Sequence, residues 1–129
     1  MKYLLFDLSA KDVIHLALFN AERMVHTNVP GRNRELLNVL DNFLTEQKYK
    51  KTDVQGIMVV VGAGGFTNTR IATVAANTFA YVNQLPLLAI HSDQVEHVQS
   101  LIPELLNQSA GHYISATYSG APNITVKKK

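Results

Sequence analysis

The chain has no cysteine, which removes disulfides, thiolate metal sites and a cysteine nucleophile together. It has no apolar run near the ~20 residues that a membrane-spanning helix needs. The first residues lack the basic start and small-residue cleavage site of a signal peptide, and Asp7 interrupts the apolar stretch early. A cytoplasmic protein without membrane contact is the expectation. Charge is scarce too: 17% of residues are charged and the formal net charge is +2, much of it in Lys127, Lys128 and Lys129. Without that tail the chain is close to neutral, which speaks against a broad cationic surface and strong direct nucleic-acid binding. The 47% hydrophobic content is that of a globular chain rather than a disordered one. At 129 residues it makes one domain, long enough to bury roughly two-thirds of its unfolded surface.

Signatures of chemistry are equally sparse. His15, His26, His91, His97 and His112 show no i, i+4 pairing and no acid in metal-ligand spacing, so they read as surface or strand-end histidines. No serine lies in a Gly-x-Ser-x-Gly elbow. Gly62-Ala63-Gly64-Gly65 is neither a Walker loop nor Gly-x-Gly-x-x-Gly, because Thr67 stands where the last glycine would be. A nuclease- or ATPase-type site around a metal needs several strand-end carboxylates. Only Asp7 meets that description. The chain therefore reads as non-catalytic, with no tightly bound cofactor and no metal.

What is present is a clear alternation of elements. Apolar or alternating runs at residues 2–7, 13–19 and 23–29, joined by short polar turns, read as three antiparallel neighbours. Leu36, Leu37, Val39, Leu40, Phe43 and Leu44 then form one helical stripe. Residues 57–61 make a buried strand, followed by the glycine turn and a helix over about 67–83. A strand at 87–90 comes next, then a helix that Ser92 or Asp93 can cap, carrying Val95, Val98, Leu101, Ile102, Leu105 and Leu106. Pro103 should kink or split that helix. This is the order of a ribonuclease H-like α/β fold, the lobe of actin-like ATPases. The expectation is a mixed five-stranded sheet in the order 3-2-1-4-5, with the first two helices side by side on one face. Residues 1–110 form that domain; residues 111–129 read as a C-terminal extension, with a hairpin at 113–126 and the lysine tail.

Two features of the helix over 67–83 invite a docking role. Ile71, Val74, Ala75, Thr78 and Val82 form a stripe suited to the sheet. Ala72, Ala76 and Ala80 form a second row, small throughout, which admits another helix at close range. Either that row packs on the neighbouring helix of the same domain, or a partner helix docks there; the alanines look too small to be core fillers, which favours docking. Asp7, ending the first strand in Asp7-Leu8-Ser9, either accepts bonds from its own turn or serves a phosphate-binding corner. Arg70, a cation near a helix start, needs a partner, for which Asp7 is a candidate.

Gly62-Ala63-Gly64-Gly65-Phe66-Thr67-Asn68-Thr69-Arg70-Ile71-Ala72 resembles the Gly-Pro-Gly-Ser-Phe-Thr-Gly-x-Arg-x-Gly signature of the TsaB (YeaZ) family. Those proteins are accessory subunits of the bacterial machinery that makes threonylcarbamoyladenosine in tRNA. Arg32-Asn33-Arg34-Glu35-Leu36-Leu37 and Leu85-Pro86-Leu87-Leu88-Ala89-Ile90-His91-Ser92 resemble further stretches of the family, as does Asp7-Leu8-Ser9. The positions carried over from the family motif are Asp7, Ser9, Gly62, Gly64, Gly65, Phe66, Thr67 and Arg70, with Gly65 standing where the family signature has serine. The resemblance implies a scaffold without a catalytic site that binds a TsaD-like subunit, pairs with itself, and meets a TsaE-like ATPase. ATP or ADP would enter only at that assembly. It further implies an interface on the two helices, through Arg34, Leu37 and Asp41 on the first and Ala72, Thr73, Ala76 and Ala80 on the second. Family members continue into a second, related domain, of which the 113–126 hairpin would be a remnant. The rival readings are an independent nucleotide-binding or ATPase protein of the actin-like group and a self-associating structural protein.

Overall fold

The structure is a computed structural model that describes residues 2–10, 12–31, 35–61 and 66–108. Five strands, β1 (Tyr3–Asp7), β2 (Val13–Phe19), β3 (Met24–Pro30), β4 (Gly56–Val60) and β5 (Leu87–Ile90), form one sheet in the order β3-β2-β1-β4-β5. β2 runs antiparallel to both β1 and β3, whereas β1, β4 and β5 are parallel. Helices α1 (Leu36–Glu46) and α2 (Phe66–Asn83) supply the crossovers. This is the ribonuclease H-like topology that the element order predicts. The expected extension 111–129 and its hairpin lie outside the described residues, as do residues 32–34 and 62–65.

The period-two alternation of strands divides the core into two layers. Leu4, Phe6, Ile14, Leu16, Ile57 and Val59 face α1 and α2, while Leu5, Ala17, Phe19, Met58 and Val60 face the opposite side. Because both faces are covered, β1 and β4 read as continuous apolar runs rather than alternating ones. β3, at the edge, alternates half-buried and exposed positions instead.

The second layer departs from the expected helix. Residues Ser92–Leu101 wind as a 3-10 helix, and a short α3 (Ile102–Leu106) follows. Pro103 explains the split: without an N–H it is tolerated in the first turn of an α-helix but not inside one, so α3 starts there. The cap position is His91 rather than Ser92 or Asp93, and its N–H is met by the Gln94 side chain at 2.8 Å. Val98, Ile102 and Leu105 still reach the core, as their spacing requires.

α1 and α2 end in the same way. Tyr49 N–H donates to Leu44 C=O at 2.8 Å and Lys48 N–H to Thr45 C=O at 3.0 Å; Leu85 donates to Ala80 at 2.8 Å and Gln84 to Tyr81 at 3.3 Å. These are the paired bonds of a Schellman motif, which needs a left-handed residue. Lys48 (φ 64°) and Gln84 (φ 54°) occupy that position, where glycine is ordinarily preferred. Gln84→Gly is therefore expected to stabilise the protein by about 0.5–1 kcal/mol in chemical denaturation, by removing the Cβ strain of the left-handed turn. No gain at all would mean that the Gln84 side-chain bond to Tyr81 C=O, at 2.7 Å, offsets that strain.

Candidate functional site

α2 carries one charge, Arg70, in eighteen residues, so its sequence marks no obvious solvent face. The structure turns it largely the other way: of the stripe expected to face the sheet, only Ile71 and Ala75 pack partly against the core, and Thr78 is exposed. Ala72, Thr73, Ala76 and Ala80 are buried at 0–1% exposure, in the core against the sheet, and are not a docking row. Val74 and Val82, expected to face the sheet, are 58% and 69% exposed. The physical reason is volume matching. Leu4, Phe6, Ile57 and Val59 stand up from the strands and already fill the layer, so the helix must present small residues to come close. Phe79 is a large residue beside that row, and it fits by meeting Phe6 edge-on, ring centres 6.4 Å apart at 85°.

The outward turn of the larger residues creates a groove of about 630 Å³ between α1 and α2. Leu37 lines it from α1, and Ile71, Val74, Thr78 and Val82 line it from α2. Lys51 and Arg70 lie at its margin. Leu37 is 61% exposed, a large apolar side chain set toward water. Asp41, one turn further along α1, pairs with Lys51 at 3.0 Å; both are about half exposed, so the pair contributes little to stability. Of the interface residues expected from the sequence, Leu37 belongs to this groove, Asp41 lies beside it, and Arg34 falls outside the described residues. Among the motif positions, Gly62, Gly64 and Gly65 also fall outside, while Phe66 and Thr67 open α2.

A second cluster sits where β1 ends. Asp7 Oδ1 accepts from the Ser9 N–H at 3.0 Å and from the Ser9 hydroxyl at 2.6 Å. Its Oδ2 meets His15 Nδ1 at 2.9 Å. The antiparallel register places Asp7 directly opposite His15, and His26 of β3 then reaches His15 Nε2 at 2.9 Å. Burial alone would raise the Asp7 pKa, but hydrogen bonds from His15 and Ser9 and the charge of His15 outweigh it and hold the carboxyl below its ordinary range. The expected pairing of Asp7 with Arg70 is thus replaced: Ser9 and His15 engage both oxygens, and Arg70 is exposed at the groove. The histidine cluster is missed when spacing along a helix or a metal-ligand pattern is the criterion. Counting residues outward from the turn between β1 and β2 pairs Asp7 with His15, a signal the sequence carries. Among the described residues no group of three His, Cys, Asp or Glu side chains is arranged to hold a metal ion.

Residues 31–122, well over half of the chain, match the family described as TsaD, tRNA N6-adenosine threonylcarbamoyltransferase. The chain belongs to the TsaD family. Among solved structures it is similar to YeaZ from Pseudomonas aeruginosa, with a TM-score of 0.66 at 23% identity over 81% of this chain and 51% of that one. It is similar also to an uncharacterized protein described as resembling peptidase YeaZ from Pseudomonas aeruginosa, with a TM-score of 0.63 at 26% identity over 70% of this chain and 44% of that one. The chain thus spans about half the length of these structures. No match is found among curated proteins. Family and fold together bear out the sequence's resemblance to TsaB (YeaZ) proteins.

For this TsaD-family chain the two faces of α2 should respond oppositely to substitution. Ala76→Leu inserts bulk into a filled layer and is expected to cost about 1–3 kcal/mol, with a fall of several degrees in Tm. Val82→Arg, on the open face, should stay within about 0.5 kcal/mol of the parent. Thermal and chemical denaturation of both variants check this, and equal destabilisation by the two would contradict the observed orientation.

Proposed function

We propose that this chain is a TsaB-like accessory subunit that docks on a TsaD-like protein and supports threonylcarbamoyladenosine formation in tRNA without catalysing it. The observation that carries this reading is the apolar groove between α1 and α2. Leu37, Val74 and Val82 are all more than half exposed there, on one continuous surface. Contiguous exposed apolar surface of this kind marks an interaction site more often than an isolated surface residue does. A helix laid along α1 and α2 would bury these side chains, and an acidic residue on it would meet Lys51 or Arg70 at the margin. Membership of the TsaD family and the likeness to YeaZ favour a partner from the same modification system. A second copy of the chain competes for the same surface. A TsaE-like ATPase, with ATP or ADP, would join at the assembly rather than at this chain alone.

The Asp7 corner supports the non-catalytic half of the reading. Asp7 is held by Ser9 and His15, and among the described residues no group of three His, Cys, Asp or Glu side chains stands ready there to hold a metal ion. The rival reading, an independent ATPase, would centre on Asp7 as its strand-end carboxylate. ATP turnover by the purified chain that disappears in Asp7→Asn would decide for the rival.

Docking is tested by co-purification and sedimentation with the TsaD-like protein of the same cell. Val74→Arg and Val82→Arg place a charge on a long stem where apolar contact forms, and each should weaken binding at least about tenfold while the fold is retained. Binding that both variants leave unchanged would remove the groove as the interface. A parent that self-associates and ignores the TsaD-like protein would make the second copy the occupant.

A further inference from the structure

Asp7, His15 and His26 belong to three different strands and stand in a row on the same face of the sheet. His15 Nδ1 is 2.9 Å from Asp7 Oδ2, and His15 Nε2 is 2.9 Å from His26 Nδ1. The two imidazole planes are 16° apart and their centres 5.1 Å apart. That separation equals the nitrogen–nitrogen distance plus about one ring radius at each end. The rings therefore lie edge to edge in nearly one plane, joined through a line of nitrogen, hydrogen and nitrogen, rather than face to face.

A line of this kind holds one hydrogen. With both rings neutral, His15 Nδ1–H donates to Asp7, and its Nε2 lone pair accepts from His26 Nδ1–H. One added proton is accommodated: it rests on His26 Nε2, or the bridging hydrogen moves to His15, which then sits as a cation beside the Asp7 carboxylate. A second added proton leaves an N–H on both facing nitrogens and two positive rings in contact. The bond between β2 and β3 side chains then has no acceptor.

We infer that Asp7, His15 and His26 form a one-proton clasp that ties the edge strand β3 to the end of β1, and that protonation of both imidazoles opens it. β3 is bonded on one side only, to β2, and four of its seven residues are half-buried rather than buried, so it has few other anchors on this face. Among the described residues the groups facing the clasp are few. β1 contributes Asp7, the turn contributes the neutral Ser9, and β3 contributes His26 and the neutral Asn28 opposite His15. The 3-10 helix over this face carries Asp93, Glu96 and His97, all exposed. His15 supplies the coulombic effect felt at Asp7 and at His26.

Burial, and then the charge of His15, hold the His26 pKa below the ordinary imidazole value of 6.5. The unfolded chain consequently binds this proton first, so acid favours the unfolded or opened strand. The contribution is fully present above about pH 6.5 and is lost as pH falls through the lowered value. Asp7, also lowered, loses its contribution only below the ordinary carboxylate value of 3.8, so a change in the interval between belongs to the histidines.

Imidazole nitrogen NMR of the whole chain, titrated from about pH 8 to about pH 4.5, tests the clasp together with amide exchange of β3. The expected result is that the His26 ring titrates below the ordinary imidazole value. Protection of the β3 amides, corrected for intrinsic exchange, should fall roughly fivefold or more between about pH 7.5 and pH 5. In His26→Gln that pH dependence should vanish while the β1–β2 amides keep their protection. A His26 ring that titrates at the ordinary imidazole value would overturn the inference, even if the variant proved unstable. So would parent β3 protection that does not change with pH, or a fall that persists in His26→Gln.

Discussion

How near α2 can come to the sheet governs much of what this molecule presents to its surroundings. The strands β1 and β4 carry leucine, phenylalanine, isoleucine and valine, and these side chains fill the layer beneath the helix. A helix of ordinary core residues would be held too far away to close it. Alanines at 72, 76 and 80 permit the close approach, and the burial of Thr73 and Phe79 follows from it. The rest of α2 has nowhere to go but outward. Ile71, Val74, Thr78 and Val82 thus form the wall of the groove as a consequence of the packing beneath them.

The fold was legible because it depends on patterns that sequence displays directly. Element order, apolar period and short turns led to the 3-2-1-4-5 sheet, and glycine and proline marked the breaks. Which face of α2 is buried was not legible from the helix by itself. Both of its stripes are apolar, and the deciding quantity is the bulk of the opposing strand residues, a property of the partner surface. The same limit applies to the segment after β5. Val98, Ile102 and Leu105 announce their burial, but whether the backbone between them is α or 3-10 depends on where Pro103 is allowed to sit.

The Asp7 cluster was hidden for a different reason. Helical and metal-binding spacing templates do not describe neighbours in an antiparallel sheet. In such a sheet residues far apart in sequence face each other at positions fixed by the turn. His15 stands opposite Asp7, and His26 lies diagonally from His15 across the next pairing. Strand register, once known, brings the three together without any further assumption.

The bonds that Asp7 receives from Ser9 bear on how this lobe relates to nucleotide-binding relatives of its fold. A corner that must wait for magnesium or phosphate to neutralise its acid folds fully only when the ligand arrives. Here the turn supplies its own donors, a backbone N–H and a hydroxyl on one oxygen, and a neighbouring strand supplies the other. The corner is self-sufficient. Its geometry is set by the chain's own groups, so the turn after β1 takes its shape together with the β1–β2 register.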